Sequence, residues 1–324
     1  MALLRLEDLS VTYSTADGPV PAVRGVTLEL AAGTTLGIAG ESGSGKSTLA
    51  ATVLRLTPTS ATVEGKVLLD GEDVLAMSFG RLRAVRWGEA AIVFQGALHS
   101  LNPLQRVGRQ IAEPILLHEG RVGRATAEDR VRKLLEQVGL RDRHASAYPH
   151  QLSGGQKQRV MIAMALACDP KLIIADEPTT ALDVMVQAQV LDLLTSLVHE
   201  LGVGLVVISH DLSVLGTTCD RVAVMYAGRV VEEGPAGQVF TDATHPYTRA
   251  LSAAFPTIGD PEGRFAPRGL PGDPPYPGDL PSGCPFHPRC PEVEDRCAAE
   301  DVRLRRSGPE REAACIHVGA GAPR

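Results

Sequence analysis

The chain has 324 residues, 44% of them hydrophobic, enough to bury a large core without disulfides. A formal net charge of -6 and a pI near 5.9 speak against a basic, nucleic-acid-binding surface, and no nucleic-acid partner is expected. No apolar run approaches the ~18–20 residues that span a bilayer, and Arg5, Glu7 and Asp8 interrupt the first ten residues, so neither a spanning helix nor a signal peptide is expected.

In chain order, Leu4 to Val11 and Val26 to Leu30 read as strands, the second by its apolar–polar alternation, and Gly33 marks a turn. Thr35 to Ala39 reads as a short strand entering a glycine-rich loop, and Ser47 to Leu56 as the helix after it. Val63 to Asp70 is a further β segment closed by Asp70-Gly71. From Asn102 to Gln151 the chain turns charged and helix-friendly, as in Ala127 to Val138, and reads as a mostly helical subdomain inserted into an α/β body. A helix is expected from Gly155 to Cys168, with Val160, Met164, Ala167 and Cys168 as its buried face. Leu172 to Ala175 and Leu205 to Ile208 are continuous apolar runs, which suit central parallel strands of a doubly wound α/β sheet. Eleven of the 23 prolines then fall between Pro256 and Pro291, a density that prevents regular structure and requires this segment to dock on the body or be held by something else.

Gly40-Glu41-Ser42-Gly43-Ser44-Gly45-Lys46-Ser47-Thr48 fits GxxxxGK[ST], between a predicted strand and a predicted helix. Glycines let the backbone curl so that its N–H groups point at phosphate oxygens, and the helix start adds its positive end. Gly40, Ser42, Gly43, Gly45, Lys46, Ser47 and Thr48 are the expected ATP contacts; Lys46 serves the β- and γ-phosphates and the Ser47 hydroxyl ligates Mg2+. The strand before Asp176-Glu177 ends in two carboxylates, Asp176 placed to hold Mg2+ and Glu177 to orient or deprotonate the attacking water. His210 follows the second apolar strand and is a candidate for the γ-phosphate.

These motifs together resemble the ABC ATPase family. Leu152-Ser153-Gly154-Gly155-Gln156 is similar to the ABC signature, Gln95 to the Q-loop glutamine, Ala181-Leu182-Asp183 to the D-loop, and Tyr13 to the aromatic that stacks on adenine. The resemblance implies a P-loop NTPase cassette over residues 1–255: a RecA-like core with an antiparallel β part and a helical subdomain near 102–158. It adds Gln95 to Ser47 and Asp176 as Mg2+ ligands and makes Glu177, His210 and Gln95 the catalytic set. It also implies a head-to-tail dimer in which Ser153, Gly154, Gly155 and Gln156 complete the partner's ATP site, with Asp183 beside them.

A narrower resemblance, to D-type subunits of oligopeptide/dipeptide importers, rests on Tyr148 to Ser153, Val160 to Leu166, Thr179 to Val184 and His245-Pro246-Tyr247-Thr248. It implies a peripheral subunit on the cytoplasmic face of the membrane. Its partners would be a second, distinct ATPase, two permease subunits and an extracytoplasmic solute-binding protein. Nickel or another small solute is the alternative cargo, and a soluble non-transport ABC ATPase, an exporter subunit or a redox-sensing regulator that uses a metal cluster as its switch are the rival readings. Gly96 to His99 departs from the acidic-proline run usual there, in a segment that faces the membrane subunit in relatives.

Cys168 and Cys219 read as buried small hydrophobes. Cys284, Cys290, Cys297 and Cys315, in the extension over 256–324, suit metal or redox chemistry better than disulfides. Four thiolates hold zinc or an iron–sulfur cluster, and no two-to-four-residue zinc knuckle is present. The importer resemblance implies a [4Fe–4S] cluster, with zinc or no metal as alternatives; His287 is read first as a loop residue and second as a substitute ligand.

Overall fold

The structure is a computed structural model that describes residues 2–94, 100–120, 122–180, 182–254 and 270–318. Its elements are β1 (Ala2–Thr15), β2 (Gly18–Ala31), β3 (Thr35–Ala39), α1 (Lys46–Val53), β4 (Ala61–Leu69), β5 (Glu72–Asp73), α2 (Phe79–Gly88) and β6 (Ala90–Val93). Then come α3 (Val107–His118), α4 (Arg124–Gln137), α5 (Gly154–Ala165), β7 (Leu172–Asp176), α6 (Val184–Leu201), β8 (Gly204–Ile208) and α7 (Leu212–Thr218). The chain closes with β9 (Arg221–Tyr226), β10 (Arg229–Pro235), α8 (Ala236–Thr241), α9 (Pro246–Ala254), β11 (Arg305–Gly308) and β12 (Arg311–Ala313). Among the described residues no helix is long and apolar enough to cross a membrane.

One compact unit comprises Met1–Leu4, Leu30–Thr34 and Leu69–Ile208. Its β6, β7 and β8 run parallel, with Val93 opposite Ala175 and Asp176 opposite Ile208. Every residue of β7 and β8 is buried, because helices cover both faces of such a sheet; this is why they read as unbroken apolar runs. The helical segment is α3 and α4, followed by two short 3-10 turns. Ala127, Val131, Leu134 and Leu135 recur at helical spacing and form the buried stripe of α4.

The stripe expected on α5 needs correcting. Val160 and Ala167 are buried as expected, but the helix ends at Ala165; Met164 and Cys168 are only half-buried, and Met161, Ile162, Ala163 and Ala165 are buried instead. The helix packs against α3, α4, α6 and β6 together, so it is enclosed on several sides and no single face carries its core.

The other unit comprises Arg5–Glu29, Thr35–Leu68 and Ser209–Arg324. Here β3 pairs in parallel with β9, β9 antiparallel with β10, β10 with β12, and β12 with β11. The Asp220 carboxylate accepts from the Thr35 N–H and the Thr35 hydroxyl, both at 2.8 Å, and so fixes the start of β3 beside the start of β9. The described part of the C-terminal extension docks on this unit. Phe286 is 1% exposed and meets the Tyr226 and Tyr247 rings edge-on, at 5.3 Å between centroids. Prolines remove backbone donors, and among the described residues 270–298 the extension forms only turns and short 3-10 segments; ladder pairing begins at β11 and β12, where Ala313 stands opposite Glu232.

Candidate nucleotide site

The glycine-rich loop joins β3 to α1. Gly40 has φ 146° and Gly45, the N-cap of α1, has φ 99°. A Cβ at Gly40 would run into the Met225 carbonyl oxygen, and one at Gly45 into the Ala22 carbonyl oxygen, so both positions require glycine. Lys46 is 6% exposed, and its Nζ donates to the carbonyls of Gly40 and Glu41, each at 2.8 Å, and to Ser44 Oγ at 3.3 Å. The ammonium is therefore held over the hollow of the loop. Ser42, Gly43 and Ser47 are exposed, and Thr48 is half-buried. The Tyr13 hydroxyl donates to Thr48 Oγ1 at 3.2 Å, which sets its ring beside the first turn of α1.

Glu41 was not singled out by the sequence, yet it is held from outside the loop at both its backbone and its carboxylate. Its N–H donates to Tyr247 Oη at 2.9 Å. Its carboxylate accepts from both terminal nitrogens, Nη1 and Nη2, of Arg289, at 2.8 and 3.0 Å. Burial pushes the Tyr247 phenol well above the usual tyrosine range, so it remains a hydroxyl. The turn before Tyr247 is braced in its own right. Thr244 and His245 donate their N–H groups to Glu232 at 2.8 and 2.9 Å, and Arg311 donates to the same carboxylate at 3.2 Å. His245 Nδ1 accepts from the Tyr247 N–H at 3.0 Å, and burial pushes this imidazole down to about 3. No sequence signal pointed to Glu41, because its partners lie 206 and 248 residues away.

In the other unit, Asp176 ends β7 and is 6% exposed. Glu177 follows with φ 44°, a region that side-chain-bearing residues rarely occupy. Its N–H donates to the Ile208 carbonyl at 3.0 Å, and the Thr180 hydroxyl donates to its Oε2 at 2.9 Å. Backbone and carboxylate are thus both fixed. Thr180 belongs to the Thr179 to Val184 stretch that resembles peptide importers, but its hydroxyl's hold on Glu177 is visible only in the structure.

Ser153 caps α5 in a reciprocal box: its Oγ accepts from the Gln156 N–H at 3.3 Å, and Gln156 Oε1 accepts from the Ser153 N–H at 3.0 Å. Gly154 and Gly155 open that helix, where backbone N–H groups lack intrahelical acceptors. Asp183 caps α6 by accepting from the Val186 N–H at 3.0 Å. His210 is exposed, directly before Asp211, the N-cap of α7. Gln95, Ala181 and the Gly96 to His99 departure lie outside the described residues.

Cys219 is buried and its thiol is pushed up to about 12; Cys168 is half-buried. Cys284, Cys290, Cys297 and Cys315 are free thiols that line one cavity together with His245 and His287. Donor kind and number fit a four-thiolate group. Among the described residues, however, no three His, Cys, Asp or Glu side chains stand ready to hold a metal ion.

The family profile described as ABC transporter matches residues 23–180, and that of the oligopeptide/dipeptide transporter C-terminal region matches residues 231–297. A putative peptide import ATP-binding protein of Brucella abortus is 46% identical over 298 residues, covering 91% of this chain and 89% of that protein. The chain belongs to the ABC transporter family. Within it, the oligopeptide transport ATP-binding protein OppD of Escherichia coli is 44% identical over 317 residues, 97% of this chain and 93% of its own. The fold is that of an ABC cassette. A dimeric ATP-binding cassette solved in a post-hydrolysis state with ADP and phosphate superposes with a TM-score of 0.65 at 32% identity, covering 72% of this chain and 98% of the cassette.

Proposed function

We propose that this ABC-family chain binds and hydrolyses ATP to power import of oligopeptides or dipeptides. The observation that carries the reading is Lys46, buried and aimed into a loop that only glycines can form at the start of α1. Such a loop offers backbone N–H groups, a helix N-terminus and a fixed cation to phosphate oxygens. Ser42, Gly43, Ser47 and Thr48 add contacts, and Tyr13 offers an aromatic face to the adenine. Bound Mg2+, held by Ser47, Asp176 and Gln95, would neutralise charge on the β- and γ-phosphates. Glu177 orients and deprotonates the attacking water, and His210 holds the γ-phosphate. The exposed cap Ser153, with Gly154, Gly155 and Gln156, serves the ATP of a second subunit, with Asp183 beside it. The peptide-import names of the relatives support the cargo.

The chain works from the cytoplasmic face, with a second, distinct ATPase, two permease subunits and an extracytoplasmic binding protein. Cys284, Cys290, Cys297 and Cys315 hold a [4Fe–4S] cluster, or zinc in its place, that staples the proline-rich extension. Their shared cavity supports that reading. The test is reconstitution of the full complex in proteoliposomes. Peptide-stimulated phosphate release with peptide uptake is expected. Stimulation by a nickel chelate alone would replace the cargo, and an assembled complex without phosphate release would overturn the ATPase assignment.

A further inference from the structure

Glu41 is held at three points: by Tyr247 at its N–H, by Arg289 at its carboxylate, and by Lys46 and the Ser44 N–H at its carbonyl. Two of these holders, Tyr247 and Arg289, come from the C-terminal region, from α9 and from the docked extension. Arg289 is itself held. Its Nε donates to the Pro271 carbonyl at 2.8 Å, and its N–H donates to the carbonyl of the buried Phe286 at 3.0 Å. The guanidinium also donates to Tyr226 Oη at 3.3 Å. Side-chain exposure is 6% for Arg289 and 22% for Glu41, so water screens this pair less than an ordinary surface ion pair. A two-pronged guanidinium–carboxylate contact also fixes direction as well as distance.

The loop needs such a hold. Its glycines free the backbone to adopt many curls, only some of which aim their N–H groups at a phosphate. A ligand that requires one conformation binds more weakly by the fraction of time that conformation is absent. Because Lys46 bonds the Glu41 carbonyl, any shift of Glu41 also moves the support of the loop's ammonium.

We propose that Arg289 and Tyr247 are positioning residues that set the phosphate loop through Glu41, so that the C-terminal extension tunes nucleotide affinity. This rests on the reading of the Gly40 to Thr48 loop as the ATP site. The rival is that the same contacts only dock the extension.

The test measures binding of the Mg2+ complex of a non-hydrolysable ATP analogue to the full chain by calorimetry, and KM and kcat for ATP in the transporter complex. Arg289→Met and Glu41→Gln are each expected to weaken binding about tenfold, the equivalent of roughly 1.4 kcal/mol. The double variant should be no weaker than either single one, since both remove the same contact. The loss should appear in KM, with kcat at saturating ATP nearly kept. Arg289→Lys, which keeps the charge but not the fork, should recover part of the affinity. Tyr247→Phe removes only the hydroxyl and leaves the ring packing, so it tests the brace even if the charge variants fold poorly; a severalfold loss is expected. Unchanged affinity in these variants, with the extension newly open to protease, would overturn the proposal in favour of docking alone. An unaltered chain that fails to bind the analogue would instead overturn the site reading beneath it.

Discussion

At Glu177 local backbone strain coincides with the role proposed for its carboxylate. A side chain held at φ 44° costs on the order of 1–3 kcal/mol, and its N–H bond to Ile208 and the Thr180 hydroxyl bond offset that cost. Glu177→Gln keeps the shape and an oxygen for Thr180 but loses the basic carboxylate. Phosphate release should fall by roughly 10²- to 10⁴-fold. Nucleotide binding should persist, and a closed dimer should accumulate on size exclusion with MgATP. A near-normal rate would remove Glu177 from the chemistry. This residue was legible in the sequence, because an apolar strand ending in Asp176-Glu177 is contiguous. Its φ and the Thr180 contact were not, since backbone strain leaves no mark on residue type.

At the scale of the element, Ser153 has two separable duties. It caps α5, which is worth about 1 kcal/mol, and it is proposed to serve a phosphate. Asp is as good an N-cap as Ser but repels a phosphate. Ser153→Asp should therefore unfold at the same denaturant concentration as the parent while losing ATP turnover. If turnover survives, the cap is the residue's only duty.

The HPYT turn carries a pH dependence. His245 Nδ1 accepts the Tyr247 N–H, so the ring must stay neutral, and burial holds it at about 3 against an ordinary 6.5. Above that ordinary value the ring is neutral folded and unfolded, and stability is unaffected. Below it the unfolded chain takes up the proton first, so stability falls by about 2 kcal/mol on reaching pH 5. Urea unfolding at pH 7 and pH 5 should show a correspondingly smaller loss in His245→Asn. An equal loss in both would assign the effect to other groups.

For the molecule as a whole, the extension poses the clearest question. Phe286 is a buried hydrophobic anchor, Arg289, Arg311, Asp301 and Glu292 form ion pairs that tie the extension down, and its strand β12 borrows the edge of β10. Anaerobic purification should yield about four irons and four sulfides per chain. Chelation should then make residues 270–318 sensitive to protease. A stripped chain with a resistant extension would show that these anchors suffice and that the metal is no staple.

The sequence by itself determined the glycine-rich loop between strand and helix, the two strand-end acids, the helices between β6 and β7 and the ABC relationship. Each is written in neighbouring residues, where glycine freedom, apolar runs and helical spacing act locally. Only the tertiary structure decided that α5 is enclosed on several sides, that four cysteines spread from 284 to 315 share one cavity, and that Arg289 grips Glu41. Those outcomes depend on which surfaces meet when the apolar faces are buried. Burial is set by the packing of the whole unit, and no window of sequence contains both partners.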